Sequence, residues 1–512
     1  MELLIENLSH GFFVAVSMEN LLYCLLGVTL GTLIGVLPGV GALTTISVLL
    51  PITFYLPPVA SIIMLAGIYY GAMYGGSTTA IMINIPGMPT AAVSCLDGYP
   101  MAQQGRAGPA LVITTIASFF AGCVATGIIA VFAPPLAEVA LRFGSVEYFS
   151  LMVLGLVAAM VIASRSLLKA LGMVLLGLLL GLVGLDVTTG GARFTFGFLR
   201  LVDGISLVVI AVGLFGLCEI INKLGRDQRA GRAEVIGKIG WKQLVPTRSD
   251  LKASWFPMIR GTTIGAILGV LPGAGATMSS FASYAVEKRI SKDPSQFGRG
   301  AIQGLAGPES ANNAAAQTSF IPTLTLGIPG SASMALMLGA MTMFGISPGP
   351  HVMVEQPDLF WGLIVSMWFG NLMLLILNLP MVGIWVRLLT IPYRVLYPSI
   401  LVLACIGIYS VSNSAFDVIL SAGIGLLGYV FVKLGCEVAP LILAFILGPM
   451  MEEHLRRAML ISRGDATVFI TSPVSMVFLI LSAILLFTTI VPALRKSGDR
   501  VAKRDPAKES GD

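Results

Sequence analysis

Residues 71–87 read GAMYGGSTTAIMINIPG. They lie in a run that has no charged side chain between Glu19 and Asp97. At roughly 20 apolar residues per helical crossing, such a run has room for several passes through a bilayer. It is nevertheless too rich in glycine, hydroxyls, asparagine and proline for a plain lipid-facing helix. Gly75 and Gly76 are read as freeing the backbone. Ser77, Thr78 and Thr79 offer hydroxyls, Asn84 an amide, and Pro86-Gly87 ends the segment. Unwound backbone at membrane depth is tolerated only where protein buries it or it lines a wet cavity. The stretch therefore predicts an interrupted helix inside a membrane-embedded bundle. A Gly-packed kink explains Gly75 or Gly87 alone equally well, whereas the hydroxyls and Asn84 favour a binding site.

The composition agrees. Of 512 residues, 56% are hydrophobic and 11% charged, and mean hydropathy is +0.90. A soluble domain carries about 25% charged residues, so a polytopic membrane protein is expected. Apolar segments recur from 14–37 to 473–494, giving an all-α fold with about 11–14 membrane segments. Charges gather at 223–260, 287–299, 452–465 and 495–512. From Arg226 to Lys252 seven basic residues face three acids, which marks a cytoplasmic loop. The expected organisation is a first membrane repeat over 1–223, a basic cytoplasmic linker over 224–256, a second repeat over 257–494 and a basic tail over 495–512.

The chain echoes itself across that linker. GTLIGVLPGVGA at 31–42 aligns on GAILGVLPGAGA at 265–276, sharing Pro38/Pro272, Gly39/Gly273 and Gly41/Gly275. Ile85-Pro86-Gly87 is echoed by Ile328-Pro329-Gly330. Chance matching of apolar segments does not account for a shared PGxG break. Two repeats with interrupted helices in corresponding positions point to a secondary-transporter site. An odd number of crossings per half makes the repeats inverted, each with a broken or re-entrant helical hairpin. Gly27, Gly31 and Gly35, like Gly261, Gly265 and Gly269, recur every four residues, a spacing that lets helices approach closely. The PGxG residues Pro38, Gly39, Gly41, Pro272, Gly273 and Gly275 are accordingly read as packing or hinge devices before ligand contacts.

The second polar stretch, 308–331, reads PESANNAAAQTSFIPTLTLGIPGS. Glu309, Asn312, Asn313, Gln317, Thr318 and Ser319 crowd one short run, and Asn313 and Gln317 share a helix face. Polar side chains in membrane helices face a bundle interior or a wet cavity. Thr325, Gly327, Pro329, Gly330 and Ser331 complete the second candidate set. Interhelical hydrogen bonding is the bland alternative, natural for a lone Asn and less so for this run. Neither stretch holds Lys or Arg, so an anion there would be held by N–H groups, hydroxyls and amides, with a cation offsetting its charge. Asp97 and Arg106 are read as gating residues or, more commonly, a solvated loop. The run from Glu452 to Arg457 is read as a surface or interfacial helix.

Other classes fall away. Aromatic–basic interleaving is absent, so nucleic acid is not a partner. HExxH and GxxxxGK[ST] are missing, so no enzyme or ATPase is expected and energy would come from an ion gradient. The six cysteines form no CxxC pair and read as free thiols.

The two stretches, with GVLPGVGALTT, LDGYPMAQQGRAG, EKRISKDPSQFGRGAIQG and GISPGP, resemble the large membrane subunit of tripartite tricarboxylate transporters, the TctA family. The resemblance implies a multi-pass permease of the bacterial inner membrane importing a tri- or other carboxylate. It also implies a small TctB-like membrane subunit and a TctC-like periplasmic solute-binding protein as partners. No cofactor is implied beyond a coupling Na+ or H+. By the same resemblance, 75–87 and 318–331 would be re-entrant hairpin tips on an elevator-like domain. The alternatives are an autonomous organic-anion carrier or channel that needs no binding protein, and a membrane scaffold that moves nothing.

Overall fold

A computed structural model of the chain describes residues 2–37, 41–163, 166–186, 189–224, 244–271, 275–388 and 393–502. Pro38, Gly39, Pro272 and Gly273 lie outside the described residues, as do most of the basic linker and the end of the tail. The first helices are α1 (Glu2–Val16), α2 (Met18–Gly35), α3 (Ala42–Thr53), α4 (Pro58–Ile83), α5 (Ala92–Met101) and α6 (Ala107–Ala140). Then come α7 (Ser145–Ala163), α8 (Leu167–Gly181), the two-residue strands β1 (Gly184–Leu185) and β2 (Ala192–Arg193), α9 (Leu207–Ala211) and α10 (Cys218–Leu224). The second half gives α11 (Arg248–Val270), α12 (Gly275–Ile290), α13 (Gln303–Thr318), α14 (Phe320–Leu326), α15 (Ala332–Met343) and α16 (Val352–Glu355). It closes with α17 (Pro357–Leu388), α18 (Tyr393–Ser412), α19 (Ala415–Lys433), α20 (Ala439–Ile461), α21 (Val468–Thr471) and α22 (Pro473–Ala502). Five helical stretches among the described residues are long and apolar enough to cross a membrane, and shorter apolar helices accompany them. The protein is an all-α polytopic membrane protein.

Two compact units divide the chain, and they cut across the expected halves. One holds Met1–Arg142 with Ile205–Lys433, the other Phe143–Gly204 with Leu434–Asp512. Sequence repeats mark duplication, whereas compactness follows which helices bury each other, so the boundaries need not coincide.

Two helix pairs, built alike, organise the larger unit. A Cβ added at Gly27, Gly31 or Gly35 of α2 would collide with the backbone of Met64, Ile68 or Ala72 on α4. A Cβ at Gly261, Gly265 or Gly269 of α11 would collide with Gly307, Ala311 or Ala315 on α13. Both glycine triplets thus bring helix backbones into contact, as small-residue stripes do in membranes. The shift relating the α4 partners to the α13 partners is the same one that relates Ile85-Pro86-Gly87 to Ile328-Pro329-Gly330. Every residue from Ala60 to Met82 and from Gly304 to Thr318 is buried, so neither α4 nor α13 faces lipid there. Their polar composition, with Glu309 as the one charged residue of the two buried runs, is thus held inside protein.

Overpacking of such contacts costs about 1–3 kcal/mol. Gly31→Val and Gly265→Val should therefore each lower the melting temperature in detergent. Gly127→Ala, where a Cβ meets no atom within 4 Å, should not, and serves as the control.

In the smaller unit Gly177 and Gly181 of α8 approach the backbone of Leu441 and Phe445 on α20. Arg193 reaches both carboxylate oxygens of Glu452 at 2.7 and 3.2 Å, and Arg456 binds Asp186 at 2.9 Å and Glu452 at 2.7 Å. The run expected to form a surface helix therefore divides. Glu452 and Arg456 enter this ionic network, while Glu453 and Arg457 pair with each other in solvent.

Candidate functional site

The candidate stretches converge in the larger unit, where α4 and α13–α14 reach matching ends. α4 stops at Asn84, which adopts a left-handed conformation (φ 57°), and α14 stops at Gly327 in the same conformation (φ 69°). The cause is local: Pro86 and Pro329 cannot extend a helix, and the residue before each is driven toward extended backbone. Gly87 then folds back so that its N–H donates to the Gly76 carbonyl at 3.4 Å, against Gly35. Gly330 lies 3.5 Å from Ser319 and 3.6 Å from the Gly269 carbonyl, counted from an added Cβ. Ser331 caps α15 by accepting the Met334 N–H at 3.3 Å.

The breaks begin later than the sequence suggests. Gly75 and Gly76 lie within continuous α4, so they do not unwind the backbone. Gly75 instead sits against Thr32 and Val36 of α2, extending the glycine interface. Likewise the chain stays near-helical through Ser319 into α14. The helix breaks fall at 84–88 and 327–331, at the C-terminal ends of the stretches 75–87 and 318–331. Gly41 and Gly275, each with no atom within 4 Å of an added Cβ, make no close helix contact. Gly41 N-caps α3, and Gly275 opens α12 with φ 51°.

Several candidate hydroxyls are committed to their own helices. Thr79 donates to Gly76 (3.0 Å), Thr318 to Ala314 (3.0 Å), Ser319 to Ala316 (2.8 Å) and Thr325 to Ile321 (2.7 Å). Thr78 is buried, and Asn84 lies exposed at its tip beside half-buried Pro86. Pro329 is buried behind the second tip. Tyr69 of α4 reaches the second stretch, where its ring meets Phe320 edge-on.

Three groups remain open to chemistry. Asn312 is 1% exposed, yet neither its amide nitrogen nor its oxygen has a hydrogen-bond partner. The Gln317 Oε1, also buried, has none either. An unpaired buried polar atom costs about 1–3 kcal/mol, so such atoms call for a partner such as ordered water, an ion or a ligand. Glu309, 1% exposed, is bonded by Ser77 at 2.6 Å, Ser94 at 3.2 Å, Ser118 at 3.1 Å and Asn313 at 3.1 Å.

Asp97 and Arg106 depart from the solvated-loop expectation. Asp97 is fully buried and accepts N–H groups from Gly298, Gly300 and Ala301 at 2.8–2.9 Å, plus the Tyr284 hydroxyl at 2.9 Å. It thereby pins the turn that leads into α13. Arg106 donates to Asp250 at 2.5 Å, at the start of α11. Burial pushes the Asp250 carboxyl up, but Arg106 and Thr247 together outweigh it and leave it below the ordinary range. A depressed carboxylate contributes stability above its unfolded value, about pH 3.9, and loses it as pH falls through the folded value. Asp250→Asn should therefore lower the melting temperature at pH 7 and make no difference at the acid end.

A family model described as "Tripartite tricarboxylate transporter TctA family" matches residues 21–443. The chain belongs to this family. Both curated relatives come from Agrobacterium vitis. An uncharacterized 52.8 kDa protein in the TAR-I ttuC′ 3′ region is 55% identical over 500 residues, covering 97% of this chain and 98% of that protein. An uncharacterized protein in the TAR-II ttuC′ 3′ region is 58% identical over 241 residues, covering 47% of this chain and all of that protein. No solved structure matches. As a TctA-family protein, the chain is a membrane component of a transporter for small molecules.

For this TctA-family chain the sequence reading missed two residues of the polar centre. Ser94 and Ser118 are isolated serines in apolar helices, and nothing in their neighbourhood distinguishes them. Glu309 stood within the polar run, but its role as the common acceptor for three helices depends on tertiary structure.

Proposed function

We propose that this protein is the substrate-translocating subunit of a binding-protein-dependent carboxylate importer in the bacterial inner membrane, driven by an Na+ or H+ gradient. A small TctB-like membrane subunit and a TctC-like periplasmic binding protein complete it. The observation that carries this reading is the unpartnered amide of Asn312, buried with Gln317 Oε1 on the helix leading to the second broken tip. Amide N–H groups donate to a carboxylate, and amide oxygens accept from a hydroxyl or meet a cation. Matching helix breaks at Asn84 and Gly327 suit tips that open and close, consistent with elevator-type movement.

The test is uptake of labelled citrate into proteoliposomes holding this chain and its small partner. It is run with and without the binding protein, under an inward Na+ or H+ gradient. Saturable uptake that needs both binding protein and gradient is expected. Uptake without the binding protein would instead indicate an autonomous carrier, and unsaturable flux a channel. If citrate is not taken up, the same assay with di- and aromatic carboxylates reads the substrate class.

A further inference from the structure

We infer that Glu309 is the site at which the coupling cation binds, a small monovalent cation held either as a proton on the carboxylate or as Na+ among its oxygens. This rests on the carrier reading above and assigns its energy-coupling step to one residue.

The inference comes from comparing Glu309 with three other buried carboxylates of the larger unit. Glu287 binds Arg260 through both oxygens at 2.6 and 2.8 Å, and Asp250 binds Arg106. Asp97 has no cation, but three backbone N–H groups converge on a single oxygen and stabilise the anion. Glu309 has neither device. Among the described residues no basic side chain bonds it, and its donors are three serine hydroxyls and one amide. A bare carboxylate at such depth costs several kcal/mol, and polar donors of this kind offset only part of that. A group so placed is stable when a cation neutralises it.

The donor set suits both forms of that cation. A hydroxyl donates or accepts by rotating its hydrogen. Ser77, Ser94 and Ser118 can therefore donate to the anion, accept from a protonated carboxyl, or turn their oxygens toward Na+. With the two carboxylate oxygens they make five oxygen ligands, the hard donors an alkali ion prefers. Asn313 additionally donates to Ser118 at 2.8 Å, which fixes that hydroxyl. The titratable group facing Glu309 from the packed helices is Tyr74 of α4. Its phenol is neutral near pH 7, so it supplies no charge to balance the carboxylate.

Placement links the cation to movement. Ser77 comes from α4, Ser94 from α5 after the first tip, Ser118 from α6, and Glu309 and Asn313 from α13 before the second tip. A cation here ties helices from both halves of the sequence together. It sits one helical turn from unpartnered Asn312, close enough for its charge to favour an anion.

Two measurements separate failure of this assignment from failure of the carrier reading. The first needs no substrate. Purified wild type, Glu309→Gln and Glu309→Asp are melted in detergent across NaCl concentration and pH. Wild type should gain melting temperature with Na+ or with falling pH, whichever cation is used. Glu309→Gln, a neutral isostere, should start at least as high as cation-loaded wild type and lack that response. Glu309→Asp should retain the response with a shifted midpoint. Identical cation responses in wild type and Glu309→Gln would overturn the assignment.

The second measurement compares gradient-driven accumulation with gradient-free exchange of labelled citrate in the same proteoliposomes. Glu309→Gln should lose accumulation and keep exchange. Wild-type-like accumulation, or loss of both by a folded protein, would overturn the assignment. Response to Na+ alone or to pH alone identifies the cation. Silence of wild type in transport, with the melting response intact, would count against citrate as substrate and leave the cation site standing.

Discussion

Asp97→Ala is expected to cost about 1–3 kcal/mol of stability, because it orphans the buried Ala301 N–H and removes the acceptor of the part-buried donors on Gly298, Gly300 and Tyr284. The N–H groups of Gly298, Gly300 and Ala301 all point at one carboxylate oxygen, and the Tyr284 hydroxyl at the other. Gly298 and Gly300 adopt φ of 85° and 105°, a conformation open to glycine that aims their N–H groups at the carboxylate. The Ala side chain supplies no acceptor. Asp97→Asn keeps one oxygen but weakens each bond, since the charge assistance is lost. The expected order of melting temperature in detergent is therefore wild type, then Asn, then Ala. Equal melting of all three would show that Asp97 does not hold the turn.

Asn312→Leu is expected to act in the opposite sense on stability and to abolish transport. The Asn312 amide leaves two buried polar atoms without partners. Leucine has the same branched skeleton and needs no partner, so losing the orphaned atoms offsets its bulkier methyl groups and the variant should melt no lower than wild type. A gain of about 1–3 kcal/mol is the range for removing such orphaned groups. A polar group kept at that cost calls for an explanation, and binding is the one that uptake reads. Loss of uptake by a protein as stable as wild type is the signature of a binding residue, whereas a structural residue would lose stability first. Gln317→Leu should behave similarly but more mildly, since a single unpartnered atom is at stake.

Much of this was legible in the sequence, and the reasons differ by residue. Pro86 and Pro329 announce their helix ends because proline chemistry is local. The glycine triplets announce close packing because their four-residue spacing falls on one helix face. Gly75 is ambiguous in the sequence because a glycine in a membrane helix either unwinds it or admits a neighbour. The position of Thr32, which decides between them, belongs to another helix. Asp97 was misread for the same reason: its partners lie on the turn at 298–301, in the other half of the chain. Ser94 and Ser118 carry no sequence signal, because a serine in an apolar helix usually bonds its own backbone. The compact units were hidden as well, since repeats record ancestry and packing records contact.

The most direct measurement is a structure of this chain with its small membrane partner and whichever carboxylate the uptake assay selects. The expected result places a carboxylate group within hydrogen-bond distance of the Asn312 amide, beside Gln317 and between the tips at 84–88 and 327–331. A carboxylate bound elsewhere, with Asn312 bonded to protein groups alone, would contradict the account.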